Sequence, residues 1–432
     1  MQPGTFHTSS ANAGHSLPGP DDIERLELDN GIIVLARSNF NSPSVVIQGS
    51  LSIGGLSDPQ DKLGLAFFSA LGLMRGTAAR SFQQIYDTLE SAGASLGFSG
   101  GTHTTSFGGK ALAEDLGLLL VLAAEAMRQP VYPPEQIERL RAQLLTGLAI
   151  RSQDTSEMAS LAFDQVIYAG HPYRYPEDGY PETISTIQVG DLQEFQRRHY
   201  GPRGMVIAVV GGIEPAKAME AVAKVLADWQ NPLQTDPPAL PGLNPLAETR
   251  RVKVNIGGKV QSDIVLGAAG PARRDPNFLA ASLGNNILGQ FGMMGRLGES
   301  VREQAGLAYY IASGLAGGIG PGPWDVAAGV DPENVDEAID LILEELQRFY
   351  QEPVTSEELA DSQANYIGRL PLSMESNAGV ASALMALERF NLGLDYYRRY
   401  PDLVRSVTPE QVLETARQYL DPARLGIAVA GS

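Results

Sequence analysis

The chain contains no cysteine and few histidines, the two side chains that most often bind transition metals in proteins. The lack of cysteine excludes a disulfide framework and a thiolate metal site. The histidines are His7, His15, His103, His171 and His199, and no two of them have the spacing of paired ligands on one helix face. The sequence therefore predicts no metal or other cofactor in this chain.

Positive charge and long hydrophobic runs are also scarce. The 432 residues include 32 lysines and arginines against 50 aspartates and glutamates, which gives a net charge of −18. Such a surface repels nucleic acid and anionic lipid. No apolar run approaches the roughly 18 residues that a membrane-spanning helix requires. We therefore expect a soluble globular protein of about two domains, with no membrane span and no nucleic-acid partner.

The first twenty residues are rich in glycine, serine and proline, and they have neither the charged start nor the apolar centre of a signal peptide. We predict a disordered tail over residues 1–20. The compartment stays open, because the sequence as given predicts the cytoplasm, whereas a signal peptide removed ahead of it would predict the periplasm.

An internal duplication organises the rest of the chain. Segments that begin at Pro202 (PRGMVIAVVGG) and Pro422 (PARLGIAVAGS) align at an offset of 220. Between them, residues 231–249 contain five prolines, as expected of a stiff interdomain linker. We predict two similar domains, residues 21–230 and 250–432, each an α+β sandwich of helices packed on a mixed, mostly antiparallel sheet.

Two helix starts carry the capping-box spacing, Ser81 with Gln84 and Thr408 with Gln411. Apolar periodicity predicts further helices, which begin near Asp115, Pro133, Asn334 and Ser356. Alternating or continuous apolar runs predict strands at VVIQGSLSI, MVIAVVGG, VNIGG, SDIVLGAA and DVAAGV.

Residues 64–77 read GLAFFSALGLMRGT. This segment resembles the motif helix of the pitrilysin-type (inverzincin) zinc metallopeptidases, which reads Gly-Leu-Ala-His-x-x-Glu-His and continues to a basic residue and Gly-Thr. The frame is kept here, but Phe67 and Leu71 stand in place of the two zinc-binding histidines, and Ala70 stands in place of the catalytic glutamate. These side chains can neither donate a lone pair to a metal nor accept a proton.

The third zinc ligand of that family is a glutamate about 75 residues further on. The corresponding stretch lies near Thr146, Gly147 and Leu148, and no acidic residue occurs between Glu138 and Asp154. The resemblance implies two similar domains that face each other around a peptide-holding cavity, here without the zinc site.

A second signature of the family resembles residues 293–314, MMGRLGESVREQAGLAYYIASG. The resemblance implies that Arg302 and Tyr309 contact the substrate backbone and stabilise the oxyanion on its carbonyl. Two other interpretations stay open: Arg302 pairs with Glu299 or Glu303, and Tyr309 packs in the core. Tyr310 is expected on the opposite strand face, so only one of the two tyrosines can serve.

Five glycines precede this signature, Gly284, Gly289, Gly292, Gly295 and Gly298. They lack the order of a phosphate-binding loop. The run resembles a shorter form of the glycine-rich loop in the non-catalytic subunit of mitochondrial processing peptidase.

The resemblance implies the zinc-free subunit of a heterodimeric metallopeptidase, inactive alone. A paralogous partner with an intact His-x-x-Glu-His motif would hold the zinc, and the substrates would be peptides or unfolded protein segments. Two alternatives are a scaffold without chemistry, like the core subunits of the mitochondrial respiratory cytochrome complex, and a peptide-binding protein.

Overall fold

The first half of the chain forms a six-stranded mixed sheet in the computed structural model, which describes residues 17–290 and 295–432. The strand order is β1-β2-β6-β3-β5-β4. Only β2 and β6 pair in parallel. The strands are β1 (Glu24–Glu27), β2 (Ile33–Ser38), β3 (Ser44–Leu51), β4 (Ser95–Gly100), β5 (Thr105–Leu112) and β6 (Val206–Gly211).

The second half forms a five-stranded sheet in the order β7-β11-β8-β10-β9. Its strands are β7 (Arg250–Asn255), β8 (Ser262–Ala269), β9 (Ala308–Gly317), β10 (Pro321–Val330) and β11 (Gly426–Gly431). Strand β11 lies parallel to β7 and antiparallel to β8, just as β6 lies parallel to β2 and antiparallel to β3. The duplicated segments thus supply equivalent strands, and the predicted class of two mixed sheets packed by helices is confirmed.

Fourteen α-helices accompany the sheets in the described part of the chain. Two of them begin with the predicted capping boxes, Ser81 with Gln84 and Thr408 with Gln411. The helices of the first half are α1 (Leu65–Gly72), α2 (Phe82–Ser91), α3 (Leu116–Arg128), α4 (Pro134–Arg151), α5 (Thr155–Ile167), α6 (Pro181–Thr186), α7 (Val189–His199) and α8 (Pro215–Leu226). Those of the second half are α9 (Phe278–Asn285), α10 (Val335–Gln351), α11 (Ser356–Ser373), α12 (Asn377–Arg389), α13 (Tyr396–Arg405) and α14 (Pro409–Tyr419).

Each sheet is covered on one face by helices of its own half and on the other by a helix of the opposite half. Helix α12 packs on β6 and β3 of the first sheet, where Leu384, Val46 and Val210 belong to one buried apolar cluster. Helix α5 packs on β11 and β8 of the second sheet, where Phe163 and Val265 belong to another. Burying a large apolar side chain stabilises the fold by about 1.5–3 kcal/mol. The exchange of α5 and α12 therefore ties the two halves together.

Residues 231–249 contain no helix or strand, and they lie against the packed halves. The Thr235 amide donates to the Arg198 carbonyl over 2.9 Å, and Leu243 packs beside α5. A cavity of about 400 Å³ remains where this segment meets Ile167 and Ala269.

Most of the predicted tail, residues 1–16, lies outside the described residues. Leu17 is buried against the α12 cluster. Residues 17–20 therefore belong with the packed structure rather than with a tail. No helix in the described ranges is both long and apolar enough to cross a membrane.

Candidate functional site

Helix α1 starts at a sharp backbone turn that only glycine adopts readily. Gly64 has a φ of +93°. The Asp58 carboxylate then accepts hydrogen bonds from the amides of Gly64 and Ala66, both over 2.8 Å. Burial raises the pKa of Asp58 to about 7, although the amide donors favour its ionised form. The frame of the motif thus fixes where the helix begins.

The three altered motif positions lie on α1 as the sequence predicts, and they do not fit a zinc ion. Phe67 and Leu71 are half-buried and one turn apart, while Ala70 is fully buried. A Cβ on Gly100 of β4 would lie 2.5 Å from the Phe67 Cα, so the edge strand packs directly on this helix. No nitrogen or oxygen donor is available from these three side chains.

The predicted position of the third ligand gives the same result. On α4, Thr146 and Gly147 are exposed and Leu148 is buried. Across residues 17–290 and 295–432, no group of three or more histidine, aspartate or glutamate side chains is placed to hold a metal ion.

The Arg302 signature forms a helical segment, Gly298–Gln304, followed by a tight return of the chain. Gly306 has a φ of +70°, its amide donates to the Arg302 carbonyl over 3.1 Å, and β9 begins two residues later. Glu299 accepts a hydrogen bond from Gln304, not from Arg302. The Arg302 side chain has no hydrogen bond or ion pair with any described residue, so the expected alternative of a local ion pair does not form.

A β-bulge presents Tyr309 at the start of edge strand β9. Ala308 pairs with Val330 and Tyr310 pairs with Gly329, which leaves Tyr309 as the extra residue. Its side chain is 57% exposed, so it does not pack in the core. The expectation that the two tyrosines occupy opposite faces assumed a regular strand. With the bulge, both tyrosines are exposed, and the residues before and after them, Ala308 and Ile311, are buried.

Among the residues that the structure describes, the Tyr310 hydroxyl has a hydrogen-bond partner and the Tyr309 hydroxyl has none. The Tyr310 hydroxyl donates to Asp263 Oδ1 over 2.5 Å, and burial together with this carboxylate raises its pKa to about 12. Buried Asp263 also accepts from Gln261 and from Thr155, the first residue of α5. The exchanged helix therefore supports the strand that carries Tyr309. No local pattern in the sequence indicates this network, because Thr155, Asp263 and Tyr310 are distant along the chain.

Close backbone packing and an ion pair hold the glycine-rich run next to the segment that carries Arg302. A Cβ on Gly295 would lie 2.5 Å from the Gly289 Cα, so the backbones touch where a side chain would not fit. Arg296 then forms two hydrogen bonds with the Glu358 carboxylate, over 2.6 and 2.8 Å. Gly292 lies outside the described residues.

Two family models match the chain. The model described as Insulinase (Peptidase family M16) matches residues 33–172, and the model described as Peptidase M16 inactive domain matches residues 186–366. A solved peptidase M16 inactive domain from Pseudomonas fluorescens superposes with a TM-score of 0.85 at 26% identity, covering 95% of this chain and 98% of that one.

Curated relatives extend the similarity along most of the chain. An uncharacterized zinc protease of Streptomyces coelicolor is 26% identical over 411 residues, which cover 93% of this chain and 88% of the relative. Subunit 1 of the mitochondrial cytochrome b-c1 complex of Bos taurus is 24% identical over 286 residues, 65% of this chain and 58% of the relative. With both family models matched in order and the whole fold shared, the chain belongs to the M16 family of pitrilysin-like peptidases.

Proposed function

We propose that this chain is the non-zinc-binding subunit of a heterodimeric zinc metallopeptidase, in which Arg302 and Tyr309 bind the substrate backbone and stabilise the oxyanion. The observation that carries the proposal is the state of these two side chains. In a chain with a net charge of −18, Arg302 is left without an ion pair among the described residues, and Tyr309 is 57% exposed.

The positions of the two residues suit that role. Strand β9 is an edge strand, so its outer backbone groups can pair with an extended peptide. A guanidinium and a phenol beside that edge are hydrogen-bond donors, and donors aimed at developing negative charge lower the barrier most. Neither side chain must first give up an internal partner.

The bond-breaking chemistry belongs to the partner in this proposal. Phe67, Ala70 and Leu71 supply no metal ligand and no general base. The partner is a paralogous chain with an intact His-x-x-Glu-His motif, whose zinc would activate the attacking water. The substrates are peptides or unfolded protein segments, and this chain alone is inactive.

The first test is recovery of the partner. Affinity purification of this chain from its native cells, with mass spectrometry, is expected to yield a similar-sized paralogue that carries the zinc motif. The eluate should cleave peptides and lose activity with a chelator, and the chain isolated from its partner should contain well under one zinc per molecule. Recovery of the chain alone, without cleavage, contradicts the heterodimer.

The second test addresses the two residues in the reconstituted pair. Arg302→Ala and Tyr309→Phe are each expected to lower kcat by roughly 10²–10³-fold, as for loss of an oxyanion donor, with little change in thermal stability. Tyr310→Phe is the matched control, since it removes the neighbouring phenol that is bonded to Asp263. Unchanged turnover in the first two variants would remove the catalytic role.

A scaffold function is the second candidate, and one observation favours it. The chain is similar to subunit 1 of the cytochrome b-c1 complex, a protein named as part of a larger assembly. A scaffold predicts that the chain copurifies with an assembly whose activity is unaffected by Arg302→Ala or Tyr309→Phe. A peptide-binding protein of the same fold instead predicts tight peptide binding by this chain alone, without cleavage.

A further inference from the structure

An arginine that has no carboxylate partner among the described residues lies where the exchanged helix α12 ends on the first sheet. Arg389 is the last residue of α12 and is half-buried. The only hydrogen bond that its side chain forms with a described residue is to the Thr104 hydroxyl, at 3.4 Å. Most arginines of this acidic chain have a carboxylate within 4 Å. Arg25, for example, pairs with Glu388, the residue that precedes Arg389.

Arg389 lines a cavity of about 390 Å³ between α12 and strands β3 and β5. Polar groups come from Gln48, Ser106 and Ser382, and apolar ones from Phe107, Met385 and Phe390. This volume lies within the range of pockets that hold small ligands, roughly 300–1,000 Å³. A mixed lining with one cation suits a short organic group that ends in a negative charge.

Two further arginines increase the positive charge nearby without filling the cavity. Arg274 donates to the carbonyls of Phe390 and Arg389 at the end of α12, over 3.0 and 3.1 Å. Arg273 stacks on the rings of Phe278 and Tyr396. Neither has an ion pair in the described part of the chain, so three cations surround one helix end.

The ordinary role of an arginine at a helix C-terminus does not account for Arg389. Such a residue usually bonds the last carbonyls of its helix, but Arg274 takes those of residues 389 and 390. Burial lowers the pKa of Arg389, which means that its environment opposes the charge. The pKa of His103 is lowered first by burial of that histidine and second by the charge of Arg389. The Glu177 charge acts on His103 in the opposite direction, but no described carboxylate forms an ion pair with Arg389 itself.

We propose that this cavity is a carboxylate-binding site in which Arg389 receives a carboxylate of a bound peptide. The free C-terminus and an acidic side chain offer the same group, and either forms a charge-assisted pair with a guanidinium. The cavity and Arg389 are separate from Arg302 and Tyr309, whereas the choice of a peptide as the ligand rests on the proposed function.

Calorimetric titration of the full chain with three N-acetylated tripeptides tests the site. The first is Ala-Ala-Phe with a free C-terminal carboxylate, the second is its C-terminal amide, and the third is amidated Ala-Glu-Phe. We expect at least tenfold tighter binding of the first, the third or both than of the uncharged amide. Which peptide binds identifies the source of the carboxylate. Equal affinity for all three, or no binding of any, overturns the proposal.

Variants place the binding at Arg389. Arg389→Gln should weaken the preferred peptide at least tenfold, whereas Arg389→Lys should retain part of the affinity. Ser106→Asp should also weaken binding, because it adds a competing carboxylate to the same cavity. Arg405→Gln is the control, since Arg405 is exposed and paired with Asp402. If Arg389→Gln does not fold, Arg389→Lys and Ser106→Asp still test the site. Wild-type affinity in Ser106→Asp, and in Arg389→Gln if that variant folds, overturns the proposal.

Discussion

Helices α5 and α12 do the same structural work in opposite halves, yet their polar residues differ in charge. Each covers the sheet of the other half with apolar side chains. Helix α12 ends at Arg389, which no described carboxylate pairs, whereas α5 carries Asp164, whose pKa is raised by burial and then by the charge of Asp325 on β10. The fold requires an apolar stripe on both helices. Their polar residues are not constrained in this way, so the two helices can differ in charge.

The two signature segments show the same division. In the segment around α1, Gly64 and Gly76 have φ angles of +93° and +150°, and Ala66 is fully buried. These motif residues are therefore kept for backbone conformation and packing, whether or not zinc binds. In the second half, Arg302 and Tyr309 lack described partners, so packing gives no reason for them. The frame of the motif is thus explained by the fold, whereas Arg302 and Tyr309 are explained only by the function proposed for them.

The strongest way to break the comparison between α5 and α12 is to remove the apolar contact of each helix. Phe163→Ala on α5 and Leu384→Ala on α12 should each lower the free energy of unfolding by about 3–4 kcal/mol, because both side chains are fully buried in the opposite half. If the exchange couples the halves, scanning calorimetry should show one transition that both substitutions lower. Two transitions, of which each variant shifts only one, would show that the halves unfold independently.

The sequence predicts the elements of each half better than the exchange between them. The capping boxes at Ser81 and Thr408 and the strand at Ser262–Ala269 are local, since a few adjacent residues determine each. Helices α5 and α12 are absent from the predictions, although Phe163 and Ile167 have helical spacing. Even if found, an apolar stripe does not say which sheet it covers, because both sheets offer the same kind of face.

The candidate site divides in the same way. The motif comparison singles out Arg302 and Tyr309, but not the bulge that exposes Tyr309 nor the bond that engages Tyr310. The bulge depends on the pairing of β9 with β10. The bond depends on Asp263, which is more than 40 residues away in sequence. Arg389 carries no local motif, and only the packing of α12 on the first sheet shows that it has no carboxylate partner.

A smaller effect would sharpen the comparison on the α5 side. Burial raises the pKa of Asp325 from 3.8 to about 7, and no described side chain offsets it with a hydrogen bond or a cation. Between about pH 4 and pH 7 the unfolded chain loses this proton while the folded chain keeps it, so stability falls as pH rises. Asp325→Asn should therefore raise the free energy of unfolding at pH 8 by about 1 kcal/mol, and the melting temperature by about 2 °C.

The gain from Asp325→Asn should shrink as the pH falls toward 4 and disappear below about pH 3, where both states hold the proton. Asp164 provides the control, because burial and then the Asp325 charge raise its pKa too. Asp164→Asn should remove part of the same penalty, so the double variant should gain less than the sum of the two. A gain independent of pH would show that Asp325 is ionised in the folded protein at every pH tested.

The smallest expected effect lies on the α12 side. Arg389→Gln removes a half-buried cation that no described carboxylate balances, so it should stabilise the chain by only ~0.5 kcal/mol, since solvent still screens part of the charge. Arginine stays protonated throughout the accessible range, so the gain should be the same at pH 5 and pH 8, in contrast to Asp325→Asn. Thermal unfolding at both pH values compares the two variants directly. A clear loss of stability in Arg389→Gln would mean that the fold itself uses the cation, and the two exchanged helices would then differ in structure as well as in charge.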